Sequence, residues 1–331
     1  MIGNTPLLDI KYMYKGEERR IFAKAEFYNL TGSIKDRMGK HVIEESYKDG
    51  TLKREMPIIV ATSGNTGISF SALGAMYKHP VHVFMPEWMT FERKSMIRKY
   101  GATLHEVSHE QGGFEGSVVL ADALALEIDG FRPQQFINKY NEDAHYQTTG
   151  LEICTQLDKL EIRPDAFVAG IGTGGTMMGV GKRLKKRYPH VKLLPLEPYK
   201  SAIMTTGKVL SDHRIQGIGD GFIPELVDLS KLDDILVIHD GDAILMAQLL
   251  ANKLGLGVGI SSGANFLGAV MAQNMFGKDF NVITIFIDDS KKYLTSDLIK
   301  VEPIKDGYLT PDISLIEVDA TCICDVRIIN G

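Results

Sequence analysis

Apolar and polar positions along the chain change period in a regular order. Ile21-Phe22-Ala23-Lys24-Ala25-Glu26 alternates with period two, as a half-buried strand does. After it the spacing predicts strands over 57–61, 81–85 and 103–107, interleaved with helices over 66–78, 91–100 and 116–128. A second block follows. A helix begins near 143, a strand covers 166–169, a helix ends near 188 and a strand covers 191–196. Strands over 234–238 and 282–287 enclose helices over 240–254 and 264–274. Short apolar strands alternating with helices imply parallel sheets covered on both faces. Two such blocks imply two α/β domains with a cleft between them. Leu7-Leu8 is an apolar pair that follows a turn signal at Gly3-Asn4-Thr5-Pro6. The chain contains no internal repeat and no low-complexity linker.

Composition narrows the class. The 331 residues are 44% hydrophobic and 24% charged, which suits a globular enzyme with a sizeable core. The net charge of -5 and the lack of a basic tract argue against nucleic acid as a partner. Lys182-Arg183-Leu184-Lys185-Lys186-Arg187 reads as the solvated end of a helix, where cations suit the dipole. No apolar run is long enough to span a bilayer. No signal peptide precedes the first motif, and three cysteines do not make a disulfide framework, so a cytoplasmic location is expected. Cys322 and Cys324 read as ordinary residues of a terminal strand, against a metal or redox reading. No metal site is expected.

Four stretches carry chemistry. In Asn29-Leu30-Thr31-Gly32-Ser33-Ile34-Lys35-Asp36-Arg37 one lysine opens a helix behind a capped polar turn. A lysine partly desolvated at a helix start has a lowered pKa, and a neutral amine is what a Schiff base needs. The plain alternative is a solvated first-turn lysine. Thr62-Ser63-Gly64-Asn65-Thr66-Gly67 follows a strand and precedes a helix, which makes a nest for an anion, most simply a carboxylate. Gly170-Ile171-Gly172-Thr173-Gly174-Gly175-Thr176 offers backbone N–H groups and threonine hydroxyls to a phosphate. It also satisfies G-x-G-x-x-G, with Glu197 at the end of the next strand, so a nicotinamide-dependent dehydrogenase is a rival reading. Gly259-Ile260-Ser261-Ser262-Gly263-Ala264 places a neutral hydroxyl near a helix start, where it can hydrogen-bond a ring nitrogen without protonating it.

Together these motifs resemble the pyridoxal 5'-phosphate (PLP)-dependent cysteine synthase and cystathionine β-synthase family, of fold type II, from Ile2 to about Leu294. The resemblance implies that Lys35 carries the cofactor. It implies that Asn65 bonds the cofactor's 3-oxygen, that Gly172, Thr173, Gly174, Gly175 and Thr176 hold its phosphate, and that Ser261 meets its ring nitrogen. Thr62, Ser63, Asn65, Thr66 and Gln135 would bind the substrate carboxylate, and Gly217 lies in the loop that faces the substrate. A smaller mobile domain over 39–140 would close on a larger one built from 1–38 and 141–300, with 301–331 as an extension of unassigned role. A homodimer acting on a small amino acid is expected.

A serine at the ring nitrogen leaves the cofactor a weaker electron sink than an aspartate would. That suits loss of a Cα proton and a β-substituent to give an aminoacrylate, with Lys35 as the base. The chain departs from the family pattern at Leu30, at Asp288-Asp289-Ser290 and at Asp220. Position 220 is typically alanine or an aromatic residue in the family. An acid at that place, flanked by Gly219 and Gly221, would deprotonate a water, because an idle buried carboxylate is costly. The plain alternative is a solvent-facing or turn-capping side chain. The leading expectation is therefore a cysteine hydroxyl-lyase, taking cysteine and water to serine and hydrogen sulfide. The alternatives are O-acetylserine sulfhydrylase, an NAD-dependent dehydrogenase and a non-enzymatic sensor.

Overall fold

A computed structural model describes residues 1–323 of the chain. It opens with strands β1 (Leu7–Tyr14) and β2 (Glu17–Ala25) and helix α1 (Lys35–Lys48). Then come β3 (Ile58–Ala61), α2 (Asn65–Tyr77), β4 (Val81–Pro86), α3 (Phe91–Lys99), β5 (Thr103–Val107) and α4 (Gly113–Glu127). Helices α5 (Lys139–Ala144) and α6 (Gly150–Lys159) lead to β6 (Ala166–Gly170), α7 (Gly175–Arg187) and β7 (Lys192–Pro198). Three short pieces follow: β8 (Ser201–Ala202), α8 (Ile203–Thr206) and β9 (Lys208–Val209). The chain continues with β10 (Leu236–Ile238), α9 (Asp240–Leu254), α10 (Ile260–Phe276), β11 (Val282–Phe286) and β12 (Ile313–Thr321).

Two sheets result. The larger has the order β10-β7-β6-β11-β2-β1-β12, and the smaller is β3-β4-β5. The small sheet is parallel throughout. In the large one β2, β11, β6, β7 and β10 run parallel, whereas β1 is antiparallel to both of its neighbours. Period two sorts the buried side chains of the central strands. Ala166, Val168, Val282 and Phe286 pack on one face with α9 and α10. Phe167, Ala169, Ile283 and Ile285 pack on the other with α6 and α7. The small sheet divides likewise, with Ile58 and Val60 against α1 and α2, and Ile59 and Ala61 toward α4. Strands buried on both faces read as continuous apolar runs, which is why the sequence exposes them.

Several boundaries differ from the sequence expectation, four of them widely. Strand β1 extends well beyond Leu7-Leu8: Leu8, Ile10, Tyr12 and Tyr14 all enter the core, and the tyrosines disguise the alternation. The last strand comes from the tail, and β12 pairs with β1 from Tyr14↔Ile313 to Leu7↔Thr321. Helix α4 starts at Gly113, in left-handed backbone, and α10 starts at Ile260, inside a stretch of loop-like composition. Cys322 is exposed, and Cys324 lies outside the described residues. Among the described residues no helix is long and apolar enough to cross a membrane.

The start of α1 is fixed by buried charge. Arg37 donates from Nε and Nη2 to Glu26 at 2.6 and 2.8 Å, and from Nη1 and Nη2 to Glu152, both at 2.7 Å. Lys24 Nζ reaches the second oxygen of Glu152 at 2.8 Å. All four side chains are at most 10% exposed. Burial alone would raise the pKa of Glu152, but Arg37 and Lys24 hold it down at about 2. Removing one partner of such a group leaves an uncompensated charge. Arg37→Ala should therefore cost ~3–5 kcal/mol in chemical denaturation. Because the folded pKa of Glu152 lies below its usual 4.5, its contribution is present above that value. It should fade as the pH falls from about 4.5 toward 2, and the variant should lose that part of the acid dependence.

Candidate functional site

The loops after β3, β6 and β11 and the first turns of α1, α7 and α10 meet around one cleft. Lys35 is the first residue of α1 and projects into it. The preceding turn is stitched to the end of β11: Ile34 N–H donates to Ile287 C=O at 3.0 Å, and Asp289 N–H to Gly32 C=O at 3.2 Å. Gly32 has φ of 76°. A Cβ there would lie 2.0 Å from an Asp289 oxygen, so the turn admits only glycine. The Lys35 side chain retains some contact with the cleft, yet protein crowds it enough to lower its pKa from 10.5 to about 8. Burial is the main cause, partly offset by the charge of Asp220.

The loop after β3 forms one wall. Thr62 Oγ1 accepts the Gly64 N–H at 3.0 Å, and Thr66 Oγ1 donates to Gln135 Oε1 at 2.6 Å. Ser63, Asn65, Thr66 and Gln135 all face the cleft beside the N-terminus of α2, whose first N–H groups lack helical partners. Asn65 Nδ2 donates to Asp288 Oδ2 at 2.7 Å, which ties α2 to the large sheet. Asn65 Oδ1 is buried without a partner.

The opposite wall is the glycine-rich turn into α7. A Cβ on Gly172 would sit 2.2 Å from Gly217 C=O, and one on Gly175 would sit 2.1 Å from Asn141 Oδ1. Gly174 has φ of 85°. The chain thus leaves a cradle that side chains would fill. Asn141 Nδ2 donates to Thr173 Oγ1 at 2.8 Å, and His145 Nε2 lies 3.4 Å from Thr176 Oγ1. Burial, then the charges of Lys35 and Arg37, pushes His145 well below its usual pKa, so the ring is neutral. The first turn of α7 holds no acid, and a doubly charged group is favoured there.

Ser261 sits in the first turn of α10, 2% exposed, on the cleft wall. Its neighbour Ser262 is already engaged, accepting the Ile287 N–H at 2.9 Å. Asp220 completes the ring of residues, on a loop where Gly217, Gly219 and Gly221 have φ of 91°, 72° and 85°. Burial raises the Asp220 pKa, and the charge of Lys35 only partly offsets this. No described residue donates a hydrogen bond to its carboxylate.

The structure adds residues that the pattern hid. Arg93 of α3 is 2% exposed, lines the cleft, and leaves Nε and Nη1 without partners. Its guanidinium lies 4.7 Å over the Tyr293 ring. Phe114 and Phe136 add an apolar edge, with ring centroids 6.1 Å apart. A basic helix gave no local sign that one of its arginines is buried. Glu197, which a dinucleotide fold would need at the ribose, is committed elsewhere. It accepts the N–H groups of Met204 and Thr205 at 2.8 and 2.9 Å.

A family model for pyridoxal-phosphate dependent enzymes matches residues 1–288. Cysteine synthase B of Campylobacter jejuni is 39% identical over 299 residues, covering 90% of this chain and 96% of the relative. The cysteine synthase of Staphylococcus aureus is 35% identical over 298 residues, covering 90% and 95%. Among solved structures, a hydrogen sulfide-producing enzyme from Fusobacterium nucleatum superposes with a TM-score of 0.94 at 52% identity, covering 97% of this chain and 96% of that one. An aspartate-to-asparagine variant of it, in complex with an α-aminoacrylate intermediate, gives 0.93 at 52% identity and 96% coverage of both chains.

The cleft fits PLP: an amine of lowered pKa, an anion cradle, a free hydroxyl and unpartnered polar atoms at Asn65 and Arg93 surround one volume. Cofactor-free protein mixed with PLP should gain visible absorbance at a rate that rises with pH around a midpoint near 8, not near 10.5. Lys35→Ala should fold and gain none, and a borohydride-trapped adduct in that variant would contradict the placement. Thr173→Val combined with Thr176→Val should weaken PLP retention, measured by dialysis, far more than it lowers the melting temperature. Equal retention would refute a phosphate cup at this turn.

Proposed function

Because the chain belongs to the pyridoxal-phosphate dependent enzymes, with the fold type II architecture of cysteine synthases, we propose that it takes L-cysteine and water to L-serine and hydrogen sulfide. The observation that carries this reading is Asp220, a carboxylate without a hydrogen-bond donor in the same cleft as Lys35. The similarity to a hydrogen sulfide-producing enzyme supports it. So does the α-aminoacrylate intermediate found in complex with an aspartate-to-asparagine variant of that enzyme.

In this reading each wall of the cleft has one task. PLP, once bound, draws electrons from the substrate Cα and so loosens the Cα proton and the β-substituent. Gly172, Thr173, Gly174, Gly175 and Thr176 hold its phosphate, Asn65 its 3-oxygen and Ser261 its ring nitrogen. Thr62, Ser63, Asn65, Thr66 and Gln135 hold the substrate carboxylate, with Gly217 facing it from the far side. Lys35, with its pKa at about 8, is neutral often enough to take the Cα proton as hydrosulfide departs. Asp220 then orients a water and takes one of its protons while the oxygen bonds to the β-carbon. A raised pKa makes it a stronger base than an ordinary carboxylate. Lys35 returns its proton to Cα and Asp220 releases its own to the departing hydrosulfide, so the atoms balance as cysteine plus water giving serine plus hydrogen sulfide. Closure of residues 39–140 over the carboxylate excludes bulk water, and the working form is a homodimer.

The cysteine synthase direction is the second reading, favoured by relatives of that name at 35% and 39% identity. Asp220→Asn separates the two. The amide keeps the shape but cannot take a proton. Sulfide should appear in a burst of one equivalent per site and then stall, while serine formation falls ~10²–10⁴-fold. An added thiol, nucleophilic as its thiolate, should still be captured. Serine made from cysteine at the wild-type rate would remove Asp220 as the base and favour the synthase reading.

A further inference from the structure

The loop that carries Asp220 is anchored by the C-terminal segment. Arg214 precedes Asp220 by six residues. Its guanidinium grips Glu302 with two prongs, Nη1 to Oε2 at 2.6 Å and Nη2 to Oε1 at 2.7 Å. Its Nε and its backbone N–H both reach Asp240 Oδ2, at 3.1 and 3.2 Å. Asp297 lies 3.3 Å from Nη1. The Glu302 side chain is only 5% exposed. An exposed ion pair would do little, but a half-buried two-pronged one, with the Arg214 side chain 34% exposed, fixes direction as well as distance.

What Arg214 steadies is its neighbour His213. The His213 Nδ1 accepts the Ile215 N–H at 3.2 Å, which assigns the ring proton to Nε2, and Nε2 donates to Gly219 C=O at 3.0 Å. Ser201 Oγ donates to the same carbonyl at 2.9 Å, and Gly219 N–H donates to Ile171 C=O at 2.9 Å. Gly219, the residue just before Asp220, is thus held through both its N–H and its C=O. The Asp220 carboxylate has no hydrogen bond of its own, so its aim depends on that residue.

The geometry points to Glu302 as a positioning residue for water capture, acting through Arg214 and His213 on Asp220. The inference rests on Asp220 being the water-activating base, and it gives the segment after Lys300 a part in the chemistry. Glu302 touches neither substrate nor cofactor, so its effect must appear in one step only. The test uses the PLP-loaded full chain with cysteine. In Glu302→Gln, serine kcat should fall ~10- to 100-fold, the scale on which small misplacements act. The sulfide burst, kcat/KM for cysteine and capture of an added thiol should stay as in wild type, so KM should fall along with kcat. Hydrogen exchange of amides 215–221 should quicken. In the Asp220→Asn background, Glu302→Gln should add no further loss. Arg214→Lys, which keeps the charge among its acids but loses the fork, should shift the water-to-thiol partition in the same sense, and it serves if Glu302→Gln folds poorly. Parallel loss of the burst, thiol capture and serine formation would reduce Glu302 to a structural contact and overturn the inference. Unchanged serine kcat in Glu302→Gln beside a collapsed Asp220→Asn would overturn it and leave Asp220 as the base. Wild-type serine formation in Asp220→Asn would overturn both.

Discussion

The contact between Arg37 and the carboxylates of Glu26 and Glu152 is the constraint on which the site depends. It joins the end of β2, the start of α1 and the body of α6 through one buried guanidinium. Lys35 lies half a turn away on the same helix, so the direction of its amine follows from where Arg37 is held. Buried ion pairs are poor sources of net stability, because desolvation consumes most of the Coulomb gain. Their value here is geometric. The planar fork of arginine allows few arrangements against two carboxylates. The Lys35 amine can then be crowded by protein without finding a carboxylate close enough to keep it fully charged, and its pKa falls to about 8.

The cleft is built from two incomplete halves. The small sheet brings the turn after β3, and the large sheet brings the cradle before α7 and the first turn of α10. Each half presents donors at a helix start that folding has left without partners. Buried atoms at Asn65, Arg93 and Gln216, which line the cleft, are likewise unsatisfied. Such groups are costly in a closed core, and their concentration around one volume is intelligible when ligands complete them. The Asn65–Asp288 hydrogen bond is a link between the halves already made by protein alone.

Much of this was legible in the residues. The alternation of strand and helix gave the parallel sheets, because strands such as β3 and β11 are buried on both faces and tolerate only apolar side chains. The three loops and Lys35 stood out because a strand followed by glycines and hydroxyls has few structural reasons to be so polar. What the residues concealed depended on tertiary contacts. Arg93 looks like any surface arginine of a basic helix, and only the approach of Gly64 and Tyr293 buries it. The tail pattern gave no hint of pairing with β1, since many β12 side chains face solvent. The G-x-G-x-x-G match to a dinucleotide fold was misleading for a physical reason. The same backbone cradle serves any phosphate, and only the partners of Glu197 separate the cases.

The central claim is that water is the nucleophile and that the cleft releases it into product as serine. It is tested most directly by giving the PLP-loaded protein L-cysteine alone in water enriched in the heavy oxygen isotope. Sulfide and serine should appear in equal amounts, with the isotope in the serine hydroxyl and with little pyruvate. Sulfide accompanied by pyruvate and ammonia in place of serine, or no sulfide until O-acetylserine chemistry is offered instead, would contradict it.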